Sequence, residues 1–230
     1  MPFIKLGITK YLGDKLAEEG FNKLYPIQEK AIPFILKGKD VLALAPTGSG
    51  KTAAYVLPIL TNLKGKTVTT NRHINVLVLA PTRELAIQVE QVFRLFGKSL
   101  PFQFKSFAVY GGASINPQMK SLQNVNVLVA TPGRLIELVE SNALHFSELS
   151  FLVLDEADKM LNLGFKKEVD KILSLLPKKR QNLLFSATLS QEVRKIEQLV
   201  LHQPEVIEIK SETNDLSLIQ QTGYFVTAEK

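Results

Sequence analysis

Cysteine is absent from all 230 residues. That excludes disulfides and every metal site built on thiolate, and it fits a reducing, cytoplasmic setting. Long apolar runs are missing too. The longest, such as residues 76–80 and 151–154, fall far short of the ~20 residues that a membrane-spanning helix needs. The opening Met-Pro-Phe-Ile-Lys-Leu-Gly contains no signal-peptide core. There is no internal repeat and no low-complexity tract. These absences point to a soluble globular chain with no membrane partner.

What is present is ordinary in bulk. A hydrophobic fraction of 45% and a charged fraction of 22% can form a real core. The length suits one large α/β domain or two small ones. Charge is mildly biased, at +6. A basic balance favours polyanionic partners: nucleic acid, an anionic membrane or an acidic protein. The Lys166–Lys167 pair and the run Lys178, Lys179, Arg180 read as solvated surface.

Short apolar, β-branched runs alternate with helical patterns. Strands are expected over 41–45, 75–80, 104–110, 126–130, 151–154, 183–185 and 206–209. Each is almost continuously apolar, as strands buried on both faces are. Helices are expected over 10–19, 28–37, 84–96 and 165–176. Thr9 is placed to cap the first of these, with Gly20 and Gly38 as stops. The alternation predicts an α/β fold: a doubly wound, mostly parallel sheet with helices on both faces. Residues 64–75 and 211–217 read as polar loops, and 218–226 as a strand-like piece without a partner.

Ala45-Pro-Thr-Gly-Ser-Gly-Lys-Thr52 follows the first strand and opens a helical run. It matches G-x-x-x-x-G-K-[ST], with Ala45 in place of the first glycine. Gly48 and Gly50 let the backbone of Thr47, Gly48, Ser49 and Gly50 turn its N–H groups toward phosphate oxygens. The helix behind adds its dipole. Lys51 supplies charge for the β- and γ-phosphates, and Thr52 a hydroxyl for Mg2+. A glycine-rich turn with a solvated lysine is the plainer alternative.

Phe151-Leu-Val-Leu-Asp-Glu-Ala-Asp158 ends a buried strand in acids. A lone carboxylate there is costly, so Asp155 needs a partner. Mg2+ held between Asp155, Thr52 and phosphate supplies one. Glu156 is then placed to orient or activate water. The alternative is that these acids cap the next helix.

Other strand ends carry similar groups. Pro81-Thr82-Arg83-Glu84 follows the second strand, Gly111-Gly112 the third and Thr131-Pro132-Gly133-Arg134 the fourth. Hydroxyls, exposed backbone N–H groups and arginine are the groups that contact phosphodiester oxygens. Each loop taken singly is equally consistent with turn chemistry. Ser186 and Thr188 follow the sixth strand and offer hydroxyls to Asp158, or else cap a helix. All six lie at C-terminal strand ends, the edge where parallel sheets bind ligands. Gln28 matches the donor–acceptor edge of adenine, and Phe3 could stack on a base. Read alone, Gln28 is a solvated helix residue and Phe3 a core anchor.

With these residues in view, the chain resembles the first RecA-like domain of a DEAD-box RNA helicase, from Phe3 to about Ile209. Asp155-Glu-Ala-Asp158 is the family's name motif. The resemblance implies that Phe3, Phe21 of Gly20-Phe21, and Gln28 of the Pro26–Gln28 segment recognise adenine. The 17-residue step from Phe3 to Gly20 is part of the match. It also implies RNA contacts at Pro81–Glu84, Gly111–Gly112 and Thr131–Arg134, and coupling of hydrolysis to strand separation through Asp158, Ser186 and Thr188. Tyr25, where many members have threonine, and Pro46 in the phosphate loop depart from the pattern without removing a chemical role.

The implied organisation is an adenine-recognition segment at 1–38, a RecA-like ATP-binding domain at 39–210 and a linker at 211–230. The linker leads toward a second RecA-like domain that this chain lacks. The chain reads as one excised half of a compact, bacterial-type enzyme, a monomer that holds Mg-ATP and RNA, single-stranded or duplex. Without the second domain's arginines it is expected to hydrolyse weakly and not to unwind. A DNA-directed P-loop helicase and a non-hydrolysing, ATP-gated RNA clamp are the rival readings.

Overall fold

Alternate residues of each apolar strand point to opposite faces of one sheet. Val41 and Ala43 enter one core while Leu42 enters the other. Val76 and Val78 part in the same way from Leu77 and Leu79. Both faces must therefore be covered, which is why these strands contain no polar alternation.

The computed structural model describes residues 1–63 and 72–210. Its sheet has seven strands: β1 (Val41–Leu44), β2 (Val76–Leu79), β3 (Ser106–Val109), β4 (Val127–Ala130), β5 (Phe151–Leu154), β6 (Gln181–Ser186) and β7 (Glu205–Glu208). All pairings are parallel, in the order β3-β4-β2-β5-β6-β1-β7. Every C-terminal strand end therefore lies on one edge. The seven expected strands are all present, shifted by a residue or two at their ends.

The larger core lies under the N-terminal half. Helices α1 (Pro2–Lys5), α2 (Lys10–Glu18), α3 (Pro26–Leu36), α4 (Lys51–Asn62) and α5 (Arg83–Gly97) bury Phe3, Leu12, Leu16, Ile27, Tyr55 and Phe93 there. The first forty residues thus share a core with the sheet. The second core takes apolar side chains of α7 (Pro132–Glu140), α8 (Ala157–Asn162), α9 (Lys166–Leu175) and α10 (Gln191–Val200). The short helix α6 (Ile115–Ser121) follows β3.

Gly20 and Gly38 end α2 and α3 as expected, both with positive φ. Thr9 precedes α2, but its hydroxyl makes no capping bond. The expected loop at 64–75 falls within the described residues only at 72–75. The expected linker at 211–230, with its strand-like piece, lies outside them.

Candidate functional site

The glycine-rich loop joins β1 to α4 at the C-terminal edge. Gly48 and Gly50 have φ of 82° and 88°, where L-residues are strained. Gly50 is constrained twice. A Cβ there would meet the Gln28 amide nitrogen at 2.6 Å and the Tyr25 ring at 3.1 Å. Gly50 is also the N-cap of α4, so no side chain caps this twelve-residue helix. The N–H groups of its first turn are left for an anion. Lys51 is buried, and its Nζ donates to the Ala45 carbonyl at 2.8 Å, folding the ammonium across the loop. These features fit a nucleotide's phosphates.

Gln28 is not a solvated helix residue. Its Oε1 accepts from the Tyr25 N–H at 3.0 Å, closing the first turn of α3. Its Nε2 donates to the Gly50 carbonyl at 3.1 Å. The side chain is 1% exposed and ties α3 to the glycine-rich loop. Tyr25 stands beside it, half exposed. Phe21 is partly buried and meets Phe96 edge-on at 5.6 Å.

Phe3 corrects the expectation of a base-stacking ring. It is 1% exposed and belongs to the larger core. A ring packed on all sides offers no face to a base, and burying it on the core removes more apolar surface from water.

Asp155 follows β5 and is buried. Its Oδ1 accepts from the Glu156 N–H at 3.0 Å, and its Oδ2 from the Tyr55 hydroxyl at 2.8 Å. Burial raises its pKa to about 6, against the opposing pull of the Tyr55 hydrogen bond and the Lys51 charge. Burial likewise pushes the Tyr55 hydroxyl well above its ordinary value, and the Asp155 charge adds to this. Tyr55 was missed in the sequence. Its signal is a lone hydroxyl in the apolar run Ala53-Ala-Tyr-Val-Leu57, which needs a partner. Asp155, one hundred residues on, could not be picked from local pattern.

Glu156 has φ 47°, an uncommon left-handed conformation for a side-chain-bearing residue. This kink turns the chain from β5 into α8. Its carboxylate pairs with Lys159 at 3.1 Å. Among the described residues, no cluster of three or more His, Cys, Asp or Glu forms a metal cage. One buried carboxylate, linked to the hydroxyl-bearing Thr52 through Tyr55, instead suits a hard cation that keeps waters and takes its other ligands from phosphate.

Asp158 is bonded to the strand-end hydroxyls. Thr188 donates to its carboxylate from both N–H, at 3.0 Å, and Oγ1, at 2.8 Å. Ser186 Oγ accepts from the Asp158 N–H at 3.3 Å and donates to the Thr188 carbonyl at 2.8 Å. Partial burial works to raise the Asp158 pKa. Hydrogen bonds led by Thr188 and Ser186 outweigh it and hold the group below its ordinary value.

The remaining expected contacts divide. Arg83 is exposed at the start of α5, stacked over Tyr110 at 4.8 Å, and Gly111 and Gly112 are exposed. Thr82 caps α5, accepting from the Leu85 N–H at 3.2 Å, and Pro81 is buried. Residues 131–134 are no loop. Thr131 is the N-cap of α7 and Pro132 its first residue. Thr131, Pro132 and Arg134 are buried, leaving Gly133 part-exposed. Arg134 therefore corrects the expectation of a phosphodiester contact through its side chain. Its Nη2 donates to the Ala113 carbonyl at 2.8 Å, bracing the Gly-Gly turn, and its Nε lies 3.0 Å from Glu137. The guanidinium is turned inward, where its bond to a carbonyl and its ion pair with a carboxylate brace the edge and Nη1 is left without a partner among the described residues.

A glycine-rich loop facing a buried carboxylate across one parallel edge occurs in many nucleotide-binding proteins. The match to one family is narrower. The DEAD/DEAH box helicase profile matches residues 25–196. The chain belongs to the DEAD/DEAH box helicase family. It is 41% identical over 229 residues to an ATP-dependent RNA helicase CshA of Limosilactobacillus reuteri, covering 99% of this chain and 44% of that protein. It is 39% identical over 225 residues to an ATP-dependent RNA helicase DeaD of Haemophilus influenzae, covering 97% and 36%. The crystal structure of a DEAD box protein from Methanococcus jannaschii superposes with TM-score 0.83 at 36% identity, covering 92% of this chain and 57% of that one. The RecA-like fold expected from the DEAD-box resemblance is thus present. The chain spans less than half the length of these two curated relatives.

Proposed function

We propose that this chain is the N-terminal catalytic domain of an ATP-dependent RNA helicase, with ATP and Mg2+ as cofactors. One observation carries the proposal. A single sheet edge holds the glycine-rich loop, the buried Asp155 with Glu156, and the exposed Arg83 and Gly111–Gly112.

Thr47, Gly48, Ser49 and Gly50 bind phosphate through backbone N–H groups. Lys51 leaves the Ala45 carbonyl to meet it. Thr52 and Asp155 would hold the cation. That cation, when bound, would supply charge neutralisation on the phosphates. Phe21 meets the base, and Gln28, whose amide is committed to Tyr25 and Gly50, reads it by giving up the Gly50 bond. Glu156 orients water and accepts its proton at the carboxylate. Thr82, Arg83, Gly111, Gly112 and Gly133 follow an RNA strand, single or within a duplex, with the buried Pro81 supporting them from behind. Arg134, with Thr131 and Pro132, shapes that edge from inside. Asp158, Ser186 and Thr188 transmit the nucleotide state along it.

A second RecA-like domain in cis, reached through the linker at 211–230, completes the site with arginines. An arginine finger contributes ~10³–10⁵ in rate. The 230-residue chain alone is therefore expected to bind Mg-ATP as a monomer, to hydrolyse it at least ~10³-fold more slowly than the intact enzyme, and not to unwind RNA. The reading places the protein in the cytoplasm. Steady-state ATPase assays with RNA and with DNA of equal length test it. Full RNA-stimulated turnover by these residues alone would remove the need for a partner domain. Equal stimulation by DNA would remove the preference for RNA. An intact enzyme unaffected by Glu156→Gln would point to a clamp instead.

A further inference from the structure

Tyr55 packs with no exposed surface against Phe185, ring centroids 5.1 Å apart, and against Phe93 at 6.3 Å. Phenylalanine would satisfy those contacts. A buried hydroxyl without a bond is costly, so the oxygen requires its own explanation. It has one in Asp155 Oδ2, 2.8 Å away, with the Thr52 side chain as a second hydrogen-bonding neighbour. The other carboxylate oxygen is held by the Glu156 N–H. Each oxygen of Asp155 thus receives one protein donor, which fixes the rotation of the carboxylate. A carboxylate has about four lone-pair sites. Two are committed here and the others are left for a cation.

The helix explains why Tyr55 is the residue that does this. Thr52 and Tyr55 are three apart on α4, and so share a face. One helix turn therefore presents both the Thr52 hydroxyl and the donor that orients Asp155. The loop, α4 and the end of β5 are joined by this bond, between residues one hundred positions apart.

We infer that Tyr55 is a positioning residue for divalent-cation binding: its hydroxyl orients the Asp155 carboxylate, and so sets how strongly the cation strengthens nucleotide binding. This rests on the Mg-ATP reading above. Tyr55 has no exposed surface and meets the site through Asp155 and Thr52, so it governs the coupling of cation to nucleotide and not nucleotide affinity itself.

Tyr55→Phe removes one oxygen and keeps the ring. The test titrates a fluorescent ADP analogue into wild type and Tyr55→Phe, first in EDTA and then at rising Mg2+. Thermal melts followed by circular dichroism accompany it. The expected result is EDTA affinity within about twofold of wild type, and a Mg2+ midpoint raised about tenfold. An unchanged Mg2+ midpoint overturns the inference. Equal loss of affinity with and without Mg2+ overturns it too, since that marks a merely structural role. If Tyr55→Phe melts too early to purify, Tyr55→Met, which fills the space flexibly without a hydroxyl, carries the same test. Wild-type protein whose nucleotide affinity ignores Mg2+ would overturn the Mg-ATP reading and this inference together. Failure of the inference alone leaves the wild-type Mg2+ response intact.

Discussion

Lys51, Asp155, Tyr55 and Gln28, at one part of the sheet edge, are buried and already bonded within the protein. Arg83, Gly111 and Gly112, further along the same edge, face solvent. The two regions differ in how each is prepared for a ligand. In the first, partners such as the Ala45 carbonyl occupy the polar groups and a ligand must displace them. Orientation is settled in advance, and desolvation has been met during folding. In the second, backbone and one cation wait in water, and the preparation lies beneath the surface, where Arg134 braces the turn. A compact ligand of fixed shape suits the first kind of region, and a flexible polyanion the second.

The largest expected effect tests how far the buried region extends. Phe3→Ala should cost about 3–5 kcal/mol of stability, as truncation of a buried phenylalanine does. Urea denaturation measures the loss. Nucleotide affinity, measured where the variant is still folded, should match wild type. An intact stability with a large loss of affinity would return Phe3 to the base.

The next effect concerns pH. Asp155 rises from 3.8 to about 6 on folding, so the native state binds the proton more tightly. Its contribution to stability is complete below pH ~4 and is lost as pH rises to about 6, on the order of 3 kcal/mol. Urea titrations of metal-free protein between pH 4 and 7 should show that slope, and Asp155→Asn should flatten it. Parallel curves for the two proteins would show that Asp155 does not titrate there.

The smallest effects compare the two arginines. Arg134→Ala should lower stability by about 1–3 kcal/mol by removing the charge-assisted bond to the Ala113 carbonyl. Arg83→Ala should change stability by less than ~0.5 kcal/mol. It should instead reduce the salt dependence of RNA binding by about one unit of log–log slope. The reverse pattern would mean that the inward and outward assignments are exchanged.

Much of the fold was legible because its signals are local. Continuous apolar strands mark a sheet covered on both faces, and the loop from Ala45 to Thr52 needs glycine at fixed offsets whatever lies around it. The strand-end loops were legible as positions along an edge, but not as inward or outward groups. The run 131–134 looked like a loop because Pro and Gly mark turns; here Pro132 opens a helix, where its missing N–H costs nothing.

By itself, then, the amino-acid order determined the parallel α/β architecture, the glycine-rich loop and the acids that end β5. Each depends on backbone preferences and periodicities that reach only a few residues. The tertiary structure decided that Phe3 faces the core, that Gln28 spends its amide on Gly50, that Arg134 turns inward and that Tyr55 reaches Asp155. Aromatic rings, amides and guanidinium groups serve equally well inside and outside a protein. Only the neighbours brought by distant segments, through burial and hydrogen bonding, choose between the two.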